Sequence, residues 1–348
     1  MPLSVRTVTT CPDRNKQHLF SECESATLPR MSESSQPLTA PLARQREDTT
    51  RVAVMGDLHM YRLWVPPWRL LSKRLLGQIN LWWDRRKTFD RRLLAPMLRH
   101  VLDISPDLFL LTGDVTMTSL RQEFHDVRDA LAIVDGRLPT LAIAGNHDRY
   151  TAFSKRRRIM EKHLPGLLPE AYPFFRQLSP RWKLLAIDAA MPRLLTARGV
   201  IGKVQLDAID ECIASLTAED GLIIMCHYPA IPKPDGSGTG WNHRLADAPA
   251  LLDILRKCAA PIIYLHGHVH KPWRVEKPLE GLEHMIDLNV GAPIMRRTGY
   301  PHGQGFWQLD LPESAQEAVG FTHHVPREVV YDNADGATIQ WEARRETA

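Results

Sequence analysis

The residues best suited to chemistry in this chain stand directly after its short apolar runs. Leu265-His266-Gly267-His268-Val269-His270 follows Pro261-Ile262-Ile263-Tyr264, which reads as a buried strand. Side chains alternate along extended backbone, so His268 and His270 share one side. With Gly267 allowing a close backbone approach, two imidazoles at a strand end are what a transition-metal site needs. Four earlier runs end in kind. Arg51-Val52-Ala53-Val54-Met55 leads into Gly56-Asp57-Leu58-His59, and Asp107-Leu108-Phe109-Leu110-Leu111 into Thr112-Gly113-Asp114. Thr140-Leu141-Ala142-Ile143-Ala144 leads into Gly145-Asn146-His147-Asp148, and Leu222-Ile223-Ile224-Met225-Cys226 into His227.

Carboxylate, imidazole and amide oxygen together suit Mn, Fe or Zn better than Ca or Mg. Two such cations about 3.5–4 Å apart need a shared anionic ligand, and a carboxylate can bridge them. Singly, each residue has a plainer explanation. Asp57 fits a turn, His227 a satisfied core histidine, and Asn146 a loop former after Gly145. Their joint recurrence at strand ends is what points to metal. His266, the inner neighbour of the pair, reads as structural or as a support for the ligands. Asp188, Asn289 and His302 also lie near strand ends, with nothing tying them to a cation.

The elements that must position these groups alternate strand with helix, an α/β pattern in which sites assemble beyond the carboxyl ends of strands. After Asp114, Ser119 is the expected N-cap of a helix, with Gln122 completing a capping box. Leu120, Phe124, Val127, Leu131 and Val134 recur at helical spacing there, and Gly136 ends the helix. Further strands are expected over 183–188, 284–290 and 306–310, and helices over 203–216 and 247–258. The glycine-rich loop over 234–240 is mobile by composition.

Taken in order, Asp57-x-His59, Gly113-Asp114, Gly145-Asn146-His147-Asp148, His227 and Gly267-His268-Val269-His270 closely resemble the signature of the calcineurin-like metallophosphoesterases, over roughly residues 51–291. The resemblance implies a four-layer αββα sandwich. It implies that Asp57, His59 and His270 hold one metal and Asn146, His227 and His268 a second, with Asp114 bridging. It further implies a water between the metals that loses a proton near neutral pH and attacks phosphorus. His147 would stabilise the charged transition state or protonate the leaving oxygen, with Asp148 orienting its imidazole. Phosphodiester hydrolysis is the first expectation. A phosphomonoesterase, or a nucleotide-sugar or lipid-precursor pyrophosphohydrolase at a membrane surface, is the alternative. A non-enzymatic interaction module retaining the fold is a second class. A metallo-β-lactamase site is excluded, because its dense histidine block comes early and here the dense block is last.

At 348 residues, 44% apolar and 24% charged, the chain can bury a sizeable core and reads as soluble and globular. It has no apolar run long enough to span a bilayer and no secretory-type start. Cys11, Cys23, Cys212, Cys226 and Cys258 are scattered and odd in number, so reduced thiols and a cytoplasmic location are expected, with Cys226 as buried filler. Residues 1–48 read as a disordered tail, with Met31 as an alternative start, 49–312 as the catalytic domain, and 313–348 as a late strand and frayed end.

The net charge of +4 is uneven, because residues 61–100 hold ten Lys or Arg against two acids. Trp64, Trp68, Trp82 and Trp83 interleave with those cations. The stretch reads as a helical cap, as a face for an anionic membrane surface, or as a groove for single-stranded nucleic acid. Following Asp57-x-His59 directly, it should overhang the site. The basic run Lys155-Arg156-Arg157-Arg158 reads as a solvated helix face.

Overall fold

The structure, a computed structural model, describes residues 49–62, 88–193, 196–233, 240, 243–332 and 336–346. The expected tail over 1–48, the tryptophan-rich part of the basic stretch and the loop over 234–239 lie outside the described residues.

Two six-stranded mixed sheets form the framework. The first runs in the order β12-β11-β10-β1-β2-β3, where β1 is Thr49–Met55, β2 Leu108–Leu111, β3 Thr140–Ala142, β10 Phe306–Pro312, β11 Gly320–Tyr331 and β12 Ala337–Glu346. Its β1, β2 and β3 are parallel, and β10 pairs antiparallel with β1. The second runs β4-β5-β6-β7-β9-β8, with β4 at Phe174–Gln177, β5 at Trp182–Ala186, β6 at Gly221–Met225, β7 at Ile262–His266, β8 at Trp273–Glu276 and β9 at Met285–Asn289. Here β5, β6, β7 and β9 are parallel, with antiparallel strands β4 and β8 at the edges.

Strands buried on both faces read as near-continuous apolar runs, and β2 and β6 do so. On one face of the first sheet, Ala53, Met55, Phe109 and Leu111 pack against Met97, Leu98 and Val101 of α1 (Leu94–Asp103) and Phe124 and Val127 of α2 (Arg121–Leu131). Two short helices follow, α3 (Ala152–Arg156) and α4 (Ile159–His163). On one face of the second sheet, Leu222, Ile224, Ile262 and Tyr264 pack against Ile209 and Ile213 of α5 (Lys203–Ala214) and Leu251 and Leu255 of α6 (Ala248–Leu255). The alternate residues, Val52, Val54, Leu108 and Leu110 in one sheet and Ile223, Met225, Ile263 and Leu265 in the other, are also buried. Indole Nε1 of Trp182 on β5 donates to the carbonyl of Pro312 on β10 at 2.8 Å. The result is the αββα layering that the family resemblance implies.

Three local expectations are corrected. Ser119 does not cap α2: the N-cap is Leu120, and buried Glu123 reaches back to accept its amide and the amide and hydroxyl of Thr118. The region after residue 312 is not one late strand but a long hairpin, β11 and β12, that extends the first sheet. Lys155 to Arg158 do not lie on one helix, because Arg158 takes a left-handed conformation between α3 and α4.

The basic stretch is anchored where its ends are described. Arg62 clasps Asp126 of α2 through Nε and Nη2, the amide of Asp90 donates to Ile294, and that of Arg296 donates to Thr88. The end of that stretch, from Leu94 onward, is core helix α1. No helix among the described residues is long and apolar enough to cross a membrane.

Candidate metal centre

Each candidate site residue sits just beyond the carboxyl end of a parallel strand: Asp57 and His59 after β1, Asp114 after β2, Asn146 and His147 after β3, His227 after β6, and His268 and His270 after β7. Five of these residues, Asp57, His59, Asp114, His268 and His270, have φ between 47° and 72°. Non-glycine residues rarely occupy this left-handed region, and strain of this kind is characteristic of sites where side chains must be aimed. Two glycines allow the close packing. A Cβ at Gly267 would fall 2.0 Å from Oδ2 of Asp57, and one at Gly145 would fall 2.1 Å from Oδ1 of Asp114. Backbone bonds join the turns: Asp57 N–H to Gly113 O at 2.8 Å, His59 N–H to Asp114 O at 2.9 Å, and Gly267 N–H to His227 O at 3.1 Å.

The side chains converge in two groups that share one residue. Donor atoms of Asp57, His59, Asp114 and His270 lie within 4.8 Å of one another, as do those of Asp114, His227 and His268. Asp114 Oδ1 accepts the amide of His147 at 2.7 Å. Its Oδ2 is buried without a well-formed hydrogen bond, 3.2 Å from Nε2 of His227 and 3.8 Å from Nε2 of His59. Asn146 Oδ1 lies 3.2 Å from the same His227 nitrogen.

The chemistry of this donor set fits cations. Nε2 of His59 and Nε2 of His270 approach to 2.8 Å, and both face Asp57 Oδ1, at 3.6 and 3.3 Å. His227 gives its Nδ1–H to the Thr112 carbonyl at 2.9 Å, which leaves the Nε2 lone pair facing two oxygens. Lone pairs so crowded repel unless positive charge lies among them. Burial lowers the His227 pKa, yet the Asp114 charge overrides it and lifts the group to about 9. Burial would raise the Asp114 carboxyl, but the His227 and His147 charges hold it well below the usual range. Asp57 is likewise held low against burial by hydrogen bonds from His270 and His59. Burial pushes His59 down to about 4, and burial together with the His227 charge depresses His268 far below the ordinary imidazole value. The second buried nitrogen of His268, Nδ1, has no partner. A metal ion would satisfy all of these atoms together.

His147 lies beside the first group, its ring centroid 4.8 Å from that of His59. The sequence assigned Asp148 to orient this imidazole, and the structure gives that role to a different atom. Nδ1 of His147 is 2.6 Å from the carbonyl of Met117, an acceptor that fixes the ring proton at Nδ1. The Asp148 carboxylate is instead taken up by the amides of Gly145, Val115 and Thr116 and the hydroxyl of Thr116, at 2.9–3.2 Å. Asp148 thus ties the β3 turn to the β2 turn. Burial and the neighbouring Asp114 charge raise its pKa to about 6.

Other supports carried no sequence signal, since backbone carbonyls and side chains distant in sequence provide them. Phe89 is buried with its ring 5.1 Å from His59 and 5.8 Å from His270, so this residue of the basic stretch packs against the site. Tyr228 packs its ring 4.8 Å from His268. Asn289, at the end of β9, donates to the carbonyl of Gly267 at 2.7 Å and so steadies the turn before His268. Its partner is His266, which lies outside both donor groups with its Nε2 3.2 Å from Asp287, as a structural histidine would. Asp188 and His302 belong to neither group.

Residues 50–272 match the family described as calcineurin-like phosphoesterase. A probable cyclic nucleotide phosphodiesterase of Synechococcus sp. strain WH7803 is 28% identical over 191 residues, 52% of this chain and 66% of that protein. A second protein of the same description, from Synechococcus sp. strain ATCC 27144, is 26% identical over 174 residues, 48% of this chain and 59% of its own length. Each match therefore spans less than two thirds of the relative. The crystal structure of a dimetal phosphatase from Danio rerio shares the fold, with a TM-score of 0.56 over 79% of this chain and 95% of that one at 13% identity. The family match runs from the first strand past the turn that carries His270, so every donor described above falls inside it, and the chain belongs to the calcineurin-like phosphoesterase family.

Proposed function

We propose that this chain hydrolyses phosphodiesters at a two-cation site, with Asp57, His59, Asp114 and His270 holding one ion and Asp114, Asn146, His227 and His268 the other. The donor types favour Mn, Fe or Zn. Bound there, the pair of ions supplies Lewis acidity toward phosphoryl oxygens and an activated water. The observation that carries the reading is the Asp114 carboxylate. Asp114 belongs to both donor groups, and its buried Oδ2 faces His227 at 3.2 Å and His59 at 3.8 Å without a well-formed hydrogen bond.

The chain's own contribution to the chemistry centres on His147. The Met117 carbonyl fixes its Nδ1–H, so in the imidazolium form Nε2 would be the nitrogen that donates to a phosphoryl oxygen or returns a proton to the leaving oxygen. His147 is half-buried with its ring 4.8 Å from that of His59, beside the group that would hold the first ion, and it remains open to solvent for reprotonation. Asp148 holds the two turns at a fixed separation, and Gly145 and Gly267 let the carboxylates approach the backbone closely.

Two relatives described as probable cyclic nucleotide phosphodiesterases favour cyclic nucleotides as the first substrate class to try. The test is a panel of bis(p-nitrophenyl) phosphate, p-nitrophenyl phosphate, cyclic nucleotides, nucleotide sugars and single-stranded DNA, each with Mn, Fe, Zn or Mg. Turnover of diesters in excess of monoesters, abolished by Asp114→Asn, is expected. Preference for the monoester would favour the phosphomonoesterase, and inactivity toward the whole panel with two ions bound would favour the interaction module.

A further inference from the structure

The second donor group has a support that none of the ligand blocks predicts. His243 precedes α6, and its Nδ1 lies 3.3 Å from Nε2 of His268. The His268 ring stands among three others, with centroids 5.1 Å from His227, 4.8 Å from Tyr228 and 5.3 Å from His243. Of the three, only His243 makes a hydrogen-bonding contact to the outer nitrogen of His268. The inner nitrogen, Nδ1, is buried and without a partner.

A neutral imidazole carries one proton and one lone pair, and the bond made by one nitrogen decides which the other presents. For Nδ1 of His268 to offer its lone pair to a cation, Nε2 must keep the proton, and that proton needs an acceptor. We propose that His243 is a positioning residue that accepts the Nε2–H of His268, thereby fixing the tautomer and ring angle that turn Nδ1 toward the second cation. His243 then carries its own proton on Nε2. His243 is an exposed residue outside the core, so its contribution is to ligand geometry and not to the stability of the core. Such outer partners of ligating histidines typically govern metal affinity by about 10–100-fold.

This inference rests on the two-cation reading, and the experiment separates the two. Mn uptake by the full chain is followed by equilibrium dialysis and titration calorimetry for the wild type, His243→Phe and His243→Asn. Asn places a carbonyl oxygen close to where Nδ1 of histidine lies, whereas Phe offers no acceptor. The expected result is a second Mn weakened by about tenfold or more in His243→Phe, an unaltered first Mn, recovery in His243→Asn, and equal melting temperatures for all three metal-free proteins. Two-site binding in His243→Phe identical to the wild type would overturn the proposal, as would equal losses in the Phe and Asn variants. If the wild type itself takes up fewer than two ions, the two-cation reading fails and the role of His243 falls with it.

Discussion

The amide of His268 donates to the carboxylate of Asp57, at 3.0 Å to Oδ2 and 3.2 Å to Oδ1, across 211 positions of sequence. One residue follows the first sheet's β1 and the other follows the second sheet's β7, so this bond joins the two halves of the metal centre. The donor groups can form only when both sheets are in place. Cations bound there would act as a staple between them.

Metal removal should therefore destabilise the fold as a whole. A ligand present at 100 times its Kd stabilises by about 2.7 kcal/mol per site. The melting temperature of chelated protein should fall by several degrees and recover on adding Mn. An identical melting curve with and without chelator, in protein shown to have been loaded, would argue against a shared site.

Gly267→Ala should act through the same junction. The new Cβ would lie 2.0 Å from Asp57 Oδ2, an oxygen that already faces the His268 amide. The turn must shift, at a cost of about 1–3 kcal/mol for overpacking, and the first ion should bind at least tenfold more weakly, a loss of about 1.4 kcal/mol. Calorimetric titration with Mn, beside a circular dichroism spectrum that shows retained secondary structure, measures both effects.

His147→Ala should separate chemistry from metal binding. The ring faces the site without belonging to either donor group, so Mn uptake should be unchanged while kcat falls by about 10²–10⁴-fold. A loss of metal in this variant would mean that His147 is itself a ligand.

Asp148→Asn should be costly for a structural reason. The carboxylate collects three amides and a hydroxyl in a buried position, and an amide side chain would turn an NH₂ toward donors. Leaving such groups unpaired costs about 1–3 kcal/mol each. Chemical denaturation should show the stability loss even in metal-free protein, which distinguishes this residue from His147.

Away from the metal centre, His323 and His324 on β11 give a pH signature. Burial pushes both down to about 4. His323 is stacked on Trp307, and His324 is stacked on Phe306 and bonded to His100 and Gln308. In the unfolded chain they titrate near 6.5, so between about pH 6.5 and 4 the unfolded state binds more protons and stability falls as pH falls. Shifts of this size are worth on the order of 3 kcal/mol each. Denaturant midpoints measured across that window should decline, and His324→Gln should flatten the decline.

The parts of this molecule that were legible in the sequence are those with local signals. Buried parallel strands announce themselves as apolar runs, and the polar residues that end them, from Asp57 to His270, stand out in the sequence as candidate ligands. The hairpin of β11 and β12 was not, because β12 is a sheet edge with most of its side chains in solvent, so its alternation carries little apolar contrast. Ser119 looked like a cap because of its type, yet its hydroxyl bonds His147 O and the amide of Tyr150, and Glu123 does the capping. The Met117 carbonyl that replaces Asp148 as the partner of His147 is a backbone atom, and no residue type encodes it. His243 stands alone in a polar segment, and only the fold brings it to His268.

In the two-cation reading a single carboxylate, that of Asp114, joins both ions. Electron paramagnetic resonance of the protein loaded with two equivalents of Mn(II) tests it most directly, since ions sharing a carboxylate are exchange-coupled. The wild type should give a coupled spectrum that reverts to isolated Mn(II) in Asp114→Asn. An isolated-ion spectrum from wild-type protein carrying both equivalents would contradict it.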